Sequence, residues 1–212
     1  MTVTLITQER LTLKRYRPTI DVLVFARRWT AAAFLVAALL PLPARATLEE
    51  KAQMCDGCHG ENGVPQENTT PVIWGQHLGY LYLQLRDYKR GDRRDDQMTP
   101  VMDLLEREDL MPLAEYFSKK KWPGLGQPSA PAEVAARAQR ANGSVGCTGC
   151  HQASYLGEGT QPRLAGQRKE YLLQSTLDFR TQKRGNNPGM SDLMKATSED
   201  DLKALAEYLA GL

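Results

Sequence analysis

The sequence has no long apolar run, almost no histidine, and no strong excess of charge of either sign. Its longest uninterrupted hydrophobic stretch, Ala31 to Leu40, is ten residues, about half of what a bilayer-spanning helix needs. Across the chain 27 Lys and Arg stand against 25 Asp and Glu, a formal net charge of +2, and no basic stripe offers a footprint for nucleic acid. The Lys119-Lys120-Lys121 run reads as the solvated end of a helix. Strict apolar-polar alternation, the mark of a half-buried strand, is nearly missing, so the pattern predicts an all-α chain. There are only four cysteines and three histidines, and their placement organises the rest.

All four cysteines and two histidines fall into one five-residue pattern that occurs twice, as Cys55-Asp56-Gly57-Cys58-His59 and Cys147-Thr148-Gly149-Cys150-His151. Two thiols three positions apart with an imidazole directly after them is the spacing that attaches a c-type haem. The thiols form thioethers to the vinyl groups, and the histidine meets the iron. A shared zinc site is disfavoured by the 88 residues between Cys58 and Cys147, far beyond ribbon or finger spacing. A thioredoxin-like pair would follow a strand and would leave the histidine without a purpose. Two plain disulfides leave the repeated histidine unexplained. The cofactors expected are two covalently attached haem c groups.

Ahead of the first motif, Arg27-Arg28, the apolar run and Ala44-Arg45-Ala46 match a secretory signal peptide with cleavage after Ala46. Removing residues 1–46 takes away seven basic and two acidic residues and leaves 20 against 23, a formal charge of −3. The expected location is therefore periplasmic, with export in the unfolded state.

Past residue 46 the chain repeats itself. The two haem motifs lie 92 positions apart. Pro71, Gly75-Gln76, Tyr80-Leu81 and Asp87 return at an offset of 91 as Pro162, Gly166-Gln167, Tyr171-Leu172 and Asp178, and the offset is again 92 for Met98 with Met190 and Tyr116 with Tyr208. The pattern reads as a duplicated domain, 47–122 and 132–212, joined through the Pro- and Gly-rich linker 123–131. Units this short bury little core unaided, so a large apolar cofactor would complete each interior.

Within each unit the pattern predicts three helices wrapped round a ligand. Ala132 to Ala141 reads as a helix stopped by Asn142-Gly143. Tyr80 to Tyr88 and Tyr171 to Phe179 carry apolar stripes, and the closing helices run over about 108–118 and 199–209. Ser198 with Asp201 suggests a capping box on the last of these.

The remaining question is what fills the sixth position on each iron, because a methionine there closes the metal to substrates and raises its potential. Only two methionine pairs recur, Met98 with Met190 and Met102 with Met194. The first pair stands in stretches that read as Pro- and Gly-containing loops, Gln97-Met98-Thr99-Pro100 and Pro188-Gly189-Met190, and is preferred as iron ligand. The second lies nearer the closing helix and suits packing, and is kept as the alternative. Pro71 and Pro162 could supply the carbonyls that orient the two imidazoles. Arg93 and Arg184 could pair with haem propionates. His77, opposite Arg168, reads as a surface residue; Trp74, opposite Ala165, reads as packing against the first haem or the domain boundary.

The tandem haem motifs, the paired Gly-Gln and Tyr-Leu, the methionine segment and the closing Ala-Glu-Tyr (114–116 and 206–208) resemble the cytochrome c4 family over nearly everything after the leader. The resemblance implies two tandem cytochrome c-like domains, with haems facing each other across a pseudo-twofold interface. It implies His59 with Met98 and His151 with Met190 as axial pairs, and thioether bonds at Cys55, Cys58, Cys147 and Cys150.

The function expected is that of a carrier taking one electron at a time per haem. Its donor would be a quinol-oxidising complex or a dehydrogenase, its acceptor a terminal oxidase or reductase, and room is left for peripheral membrane association. Two rivals stand beside it: the haem subunit of a dehydrogenase such as flavocytochrome c, and a dihaem enzyme with one labile axial position.

Overall fold

Thr47 opens the first described helix by exchanging bonds with Glu50. The Glu50 amide donates to Thr47 Oγ1 at 3.2 Å and the Thr47 amide donates to Glu50 Oε2 at 2.7 Å, so two amides at the helix start are satisfied at once. The computed structural model describes residues 46–212, and the expected signal peptide lies outside the described residues. This first helix, α1 (Leu48–His59), is followed by α2 (Leu78–Arg90), α3 (Met98–Asp103) and α4 (Arg107–Ser118). The second half contains α5 (Ala132–Val145), α6 (Thr148–His151), α7 (Lys169–Thr181), α8 (Pro188–Ala196) and α9 (Glu199–Ala210). Among the described residues the only extended pairing is an isolated bridge between Glu158 and Gln161, so the chain is all-α as expected.

Several local expectations need correction. The methionine segments are helical: Met98 is the first residue of α3 and Met190 the third of α8. Pro188 sits at the helix start, where a missing N–H costs nothing, and Asn187 Oδ1 accepts from the Met190 amide at 3.1 Å. With these short helices, each half has more than the three helices anticipated. Helix α5 does not stop at Asn142-Gly143 but runs to Val145 and ends at Gly146, whose φ of +78° is the left-handed cap. Asn142 acts beyond the break, its Oδ1 accepting from the Thr148 amide at 3.1 Å. At the start of α9 only half a capping box forms. Asp201 N donates to Ser198 Oγ at 3.2 Å, while Ser198 Oγ donates at 2.6 Å to the Asp201 carboxylate, which draws that carboxylate away from the Ser198 amide.

The two halves carry the haem motif differently. In the first half Cys55, Cys58 and His59 belong to the last turns of one continuous helix. In the second the helix breaks at Gly146 and the motif forms its own short turn, α6. Met54 holds the position equivalent to Gly146, and a residue with a side chain keeps α1 helical where glycine permits the break.

The cores differ too. Ala52, Leu81, Leu105, Leu110, Leu113 and Phe117 belong to one cluster in the first half. The buried apolar residues of the second half fall into three smaller clusters, around Leu172 and Leu209, Ala138 and Leu205, and Phe179 and Leu202. Met102 and Met194 are buried members of these clusters, and each holds a cation from the preceding long helix on its carbonyl. Lys89 Nζ donates to Met102 O at 3.0 Å, and Arg180 donates to Met194 O at 3.0 Å.

Candidate functional site

Each haem motif ends in a buried histidine, His59 at 5% exposure and His151 at 6%. Nδ1 of His59 lies 2.8 Å from the Pro71 carbonyl, and Nδ1 of His151 lies 3.0 Å from the Pro162 carbonyl. A carbonyl only accepts, so Nδ1 carries the proton in both rings and Nε2 is left with its lone pair. Burial lowers both imidazole pKa values below the ordinary 6.5, with the prolyl carbonyls opposing the shift. Both rings are thus held neutral, in the tautomer a metal ligand requires.

The four thiols form no disulfide; Cys58 and Cys150 are exposed and Cys55 and Cys147 half-buried. Burial pushes the Cys55 thiol up to about 12 and raises Cys147 as well. Buried thiols that resist ionisation are poor redox nucleophiles, so Cys55 and Cys147 are not activated as a redox pair would require.

The methionines differ in enclosure. Met102 is 1% and Met194 4% exposed, whereas Met98 and Met190 are half-buried and pack at the margin of the same clusters. Met98 and Met190 thus stand at the edge of the apolar interior while Met102 and Met194 fill it.

A cluster of buried polar groups joins the halves. The Arg184 guanidinium, 7% exposed, donates to Tyr80 Oη at 3.3 Å and Gln84 Oε1 at 2.8 Å. Arg93 donates to the same Gln84 oxygen at 2.8 Å and to Tyr171 Oη at 3.5 Å. Burial works to raise the Tyr171 phenol, but Arg93 and Arg184 override it and hold it below the ordinary phenol range. Among the described residues neither arginine forms an ion pair with a carboxylate. Enclosed cations without a counter-charge are costly, and a cofactor bearing carboxylates is the group that fits there.

The backbone after each motif is gripped by the opposite half. Gln167 Oε1 accepts from the Val72 amide at 2.8 Å and its Nε2 donates to the Val72 carbonyl at 3.0 Å. Reciprocally, Gln76 Oε1 accepts from the Arg163 amide at 2.9 Å and its Nε2 donates to the Arg163 carbonyl at 3.0 Å. Both glutamines are buried, at 2% and 3% exposure. The glycine before each makes the turn that delivers it: Gly75 and Gly166 have φ of +68° and +73°. Their amides donate at 2.9 Å to Phe117 and Leu209 at the ends of α4 and α9. His77 Nε2 meets the Leu156 carbonyl at 2.8 Å, and its counterpart Arg168 donates to the Pro65 carbonyl. His77 is therefore a bond between the halves rather than a free surface residue.

The glutamines and this role for His77 were missed from the sequence, although the Gly-Gln pair recurs at a fixed offset, a signal strong enough to have found them. Trp74 donates from Nε1 to Asp56 at 3.3 Å and lies in the first half's own core. Its replacement by Ala165 accompanies the change from Asp56 to Thr148. Lys120 is not a simple solvated end, since its ammonium stands 4.1 Å over the Tyr116 ring and 5.1 Å over Trp74.

A family model for cytochrome c matches residues 135–212. The cytochrome c4 of Pseudomonas aeruginosa is 34% identical over 173 residues, covering 77% of this chain and 86% of that protein. The solved structure of Acidithiobacillus ferrooxidans cytochrome c4 matches with a TM-score of 0.69 at 32% identity, over 76% of this chain and 99% of that one. A thiosulfate dehydrogenase electron acceptor of Stutzerimonas stutzeri is 29% identical over 76% of this chain and 80% of its own length.

Proposed function

Because the chain belongs to the cytochrome c4 family, a dihaem electron-transfer cytochrome with two covalent haem c groups, we propose that it carries electrons in the periplasm between a respiratory donor and a terminal oxidase or reductase. Each haem c supplies a one-electron couple when bound. The protein's residues do the rest. In our reading Cys55 with Cys58 and Cys147 with Cys150 form the thioethers, and His59 with Met98 and His151 with Met190 are the axial pairs. Domains 47–122 and 132–212 each hold one group, joined through 123–131, and residues 1–46 direct export.

The observation that carries this reading is the pair of buried, neutral imidazoles, each with Nδ1 on a prolyl carbonyl directly after two thiols. That arrangement leaves Nε2 as the ligating atom in both halves. The half-buried Met98 and Met190 are the recurring thioethers at the margin of the apolar interior, and a soft sulfur ligand favours the reduced metal and excludes exogenous ligands. Arg93 and Arg184 supply positive charge for the propionates.

The test is spectroscopic and needs no partner. Purified mature protein should have the mass of the chain from residue 47 plus two haems. The oxidised form should show the weak long-wavelength absorbance of iron-methionine bonding at full intensity for both irons. Half intensity, or a high-spin signal, would favour the dihaem enzyme with a labile axial position. Likeness to a thiosulfate dehydrogenase electron acceptor supports a second choice of donor, a thiosulfate-oxidising dehydrogenase. Reduction of the purified protein by such an enzyme and thiosulfate checks it.

A further inference from the structure

The bonds that tie the halves together also lead to the histidines. The peptide group between Pro71 and Val72 accepts from His59 Nδ1 on its oxygen, at 2.8 Å, and donates from its nitrogen to Gln167 Oε1, also at 2.8 Å. The peptide between Pro162 and Arg163 does the same between His151, at 3.0 Å, and Gln76, at 2.9 Å. Both imidazoles are therefore two hydrogen bonds from a buried glutamine of the other half, through a single amide. An amide whose N–H is engaged is a better acceptor at its oxygen, because hydrogen bonds in series polarise one another. A stronger acceptor on Nδ1 makes the imidazole a more basic ligand, and hydrogen bonding and ligand character are among the levers that set a haem potential.

We propose that Gln167 and Gln76 are positioning residues that act crosswise: Gln167 holds down the potential of the haem on Cys55 and Cys58, and Gln76 that of the haem on Cys147 and Cys150. The glutamine amide is suited to this role and an aliphatic side chain is not. Its Nε2 bond to the Val72 or Arg163 carbonyl fixes the side chain so that Oε1 stays on the amide. The same oxygen accepts a second bond from the next backbone amide, His77 N at 3.0 Å or Arg168 N at 2.9 Å, which locks the turn begun by the positive-φ glycine. The consequence is that each iron site depends on a side chain supplied by the opposite half across the interface. Loosening the contact between halves would then raise both potentials without touching any ligand.

The inference rests on His59 and His151 being axial ligands, and the test separates the two claims. Potentiometric titration of the holoprotein is followed by the paramagnetically shifted haem methyl and imidazole proton resonances, which resolve the two haems. Absence of ligated-imidazole resonances in the native protein removes the ligand assignment itself. With those resonances present, Gln167→Leu should raise the potential of the first haem and leave the second unmoved, and Gln76→Leu should do the reverse. Gln167→Glu keeps an oxygen for the Val72 amide and should hold the first haem at or below its native potential. It also reads that dependence if the leucine variants yield no holoprotein. A rise in both the leucine and glutamate variants, a shift confined to the glutamine's own half, equal movement of both haems, or no movement overturns the proposal.

Discussion

Met194 and Met190 lie four residues apart on α8, the first a core residue and the second the one proposed as iron ligand. Met194, at 4% exposure, fills the core beside Phe179 and Leu202. Met194→Ala should cost about 2–4 kcal/mol of stability through the cavity it leaves, read as a lower thermal midpoint with the iron spectrum unchanged. Met190→Ala should cost less stability but open the second iron to cyanide and lower its potential, read by ligand titration. An open site in Met194→Ala instead would reverse the assignment. Asp201 gives a pH prediction. The Ser198 hydroxyl and the Arg137 guanidinium hold its carboxyl below the ordinary 3.8, so its contribution is present above that value and is lost as pH falls through the lower folded value. Asp201→Asn should destabilise at neutral pH, and the difference from the native protein should vanish in thermal melts well below pH 3.8. The cysteines, the histidines and the prolyl carbonyls were legible from spacing, because covalent attachment demands fixed positions along the chain. Both methionine pairs recur, and the sequence preferred Met98 and Met190 because their segments read as loops; the structure makes those segments helical and leaves burial as the difference between the pairs.

At the scale of elements, the turns ahead of the glutamines test how tightly each half is closed. A Cβ on Gly75 would stand 2.7 Å from the Trp122 amide nitrogen and 2.9 Å from the Lys120 carbonyl oxygen, both backbone atoms that cannot swing aside. One on Gly166 would meet only the Trp122 indole nitrogen, at 3.4 Å. Both have positive φ, a conformation that costs a residue with a side chain about 1 kcal/mol or more. Gly75→Ala should therefore lower the thermal midpoint clearly more than Gly166→Ala, and equal losses would show that backbone strain alone sets the cost. The long helices were readable from their apolar spacing. The helicity of the methionine segments was not, because glycine and proline near a helix start look like loop residues until a cap such as Asn187 is seen bonding the first turn. Nor was the continuation of α5, where a downstream partner for Asn142 and a left-handed Gly146 outweigh a local Asn-Gly stop.

For the molecule as a whole, the junction between halves is built from reciprocal bonds. Gln76 and Gln167 exchange backbone partners, and His77 and Arg168 reach equivalent carbonyls. Tyr80 N donates to the Gly159 carbonyl at 3.1 Å, and Gly79, where a Cβ would come within 2.9 Å of that carbonyl oxygen, lets α2 approach this closely. Replacing Gly79 by Val should separate the halves, lowering the thermal midpoint and raising hydrogen-exchange rates at the amides of Val72 and Arg163; unchanged protection there would show that the glutamine bonds hold without the close approach. The sequence by itself determined the duplication, the all-α class, the two covalent haem groups and the histidine that closes each motif, because these depend on residue type and on spacing within a short stretch. Only the tertiary structure decided which side chains cross between the copies and which methionines the cores enclose, because those bonds join residues some 80 to 100 positions apart, whose meeting is set by packing rather than by any local pattern.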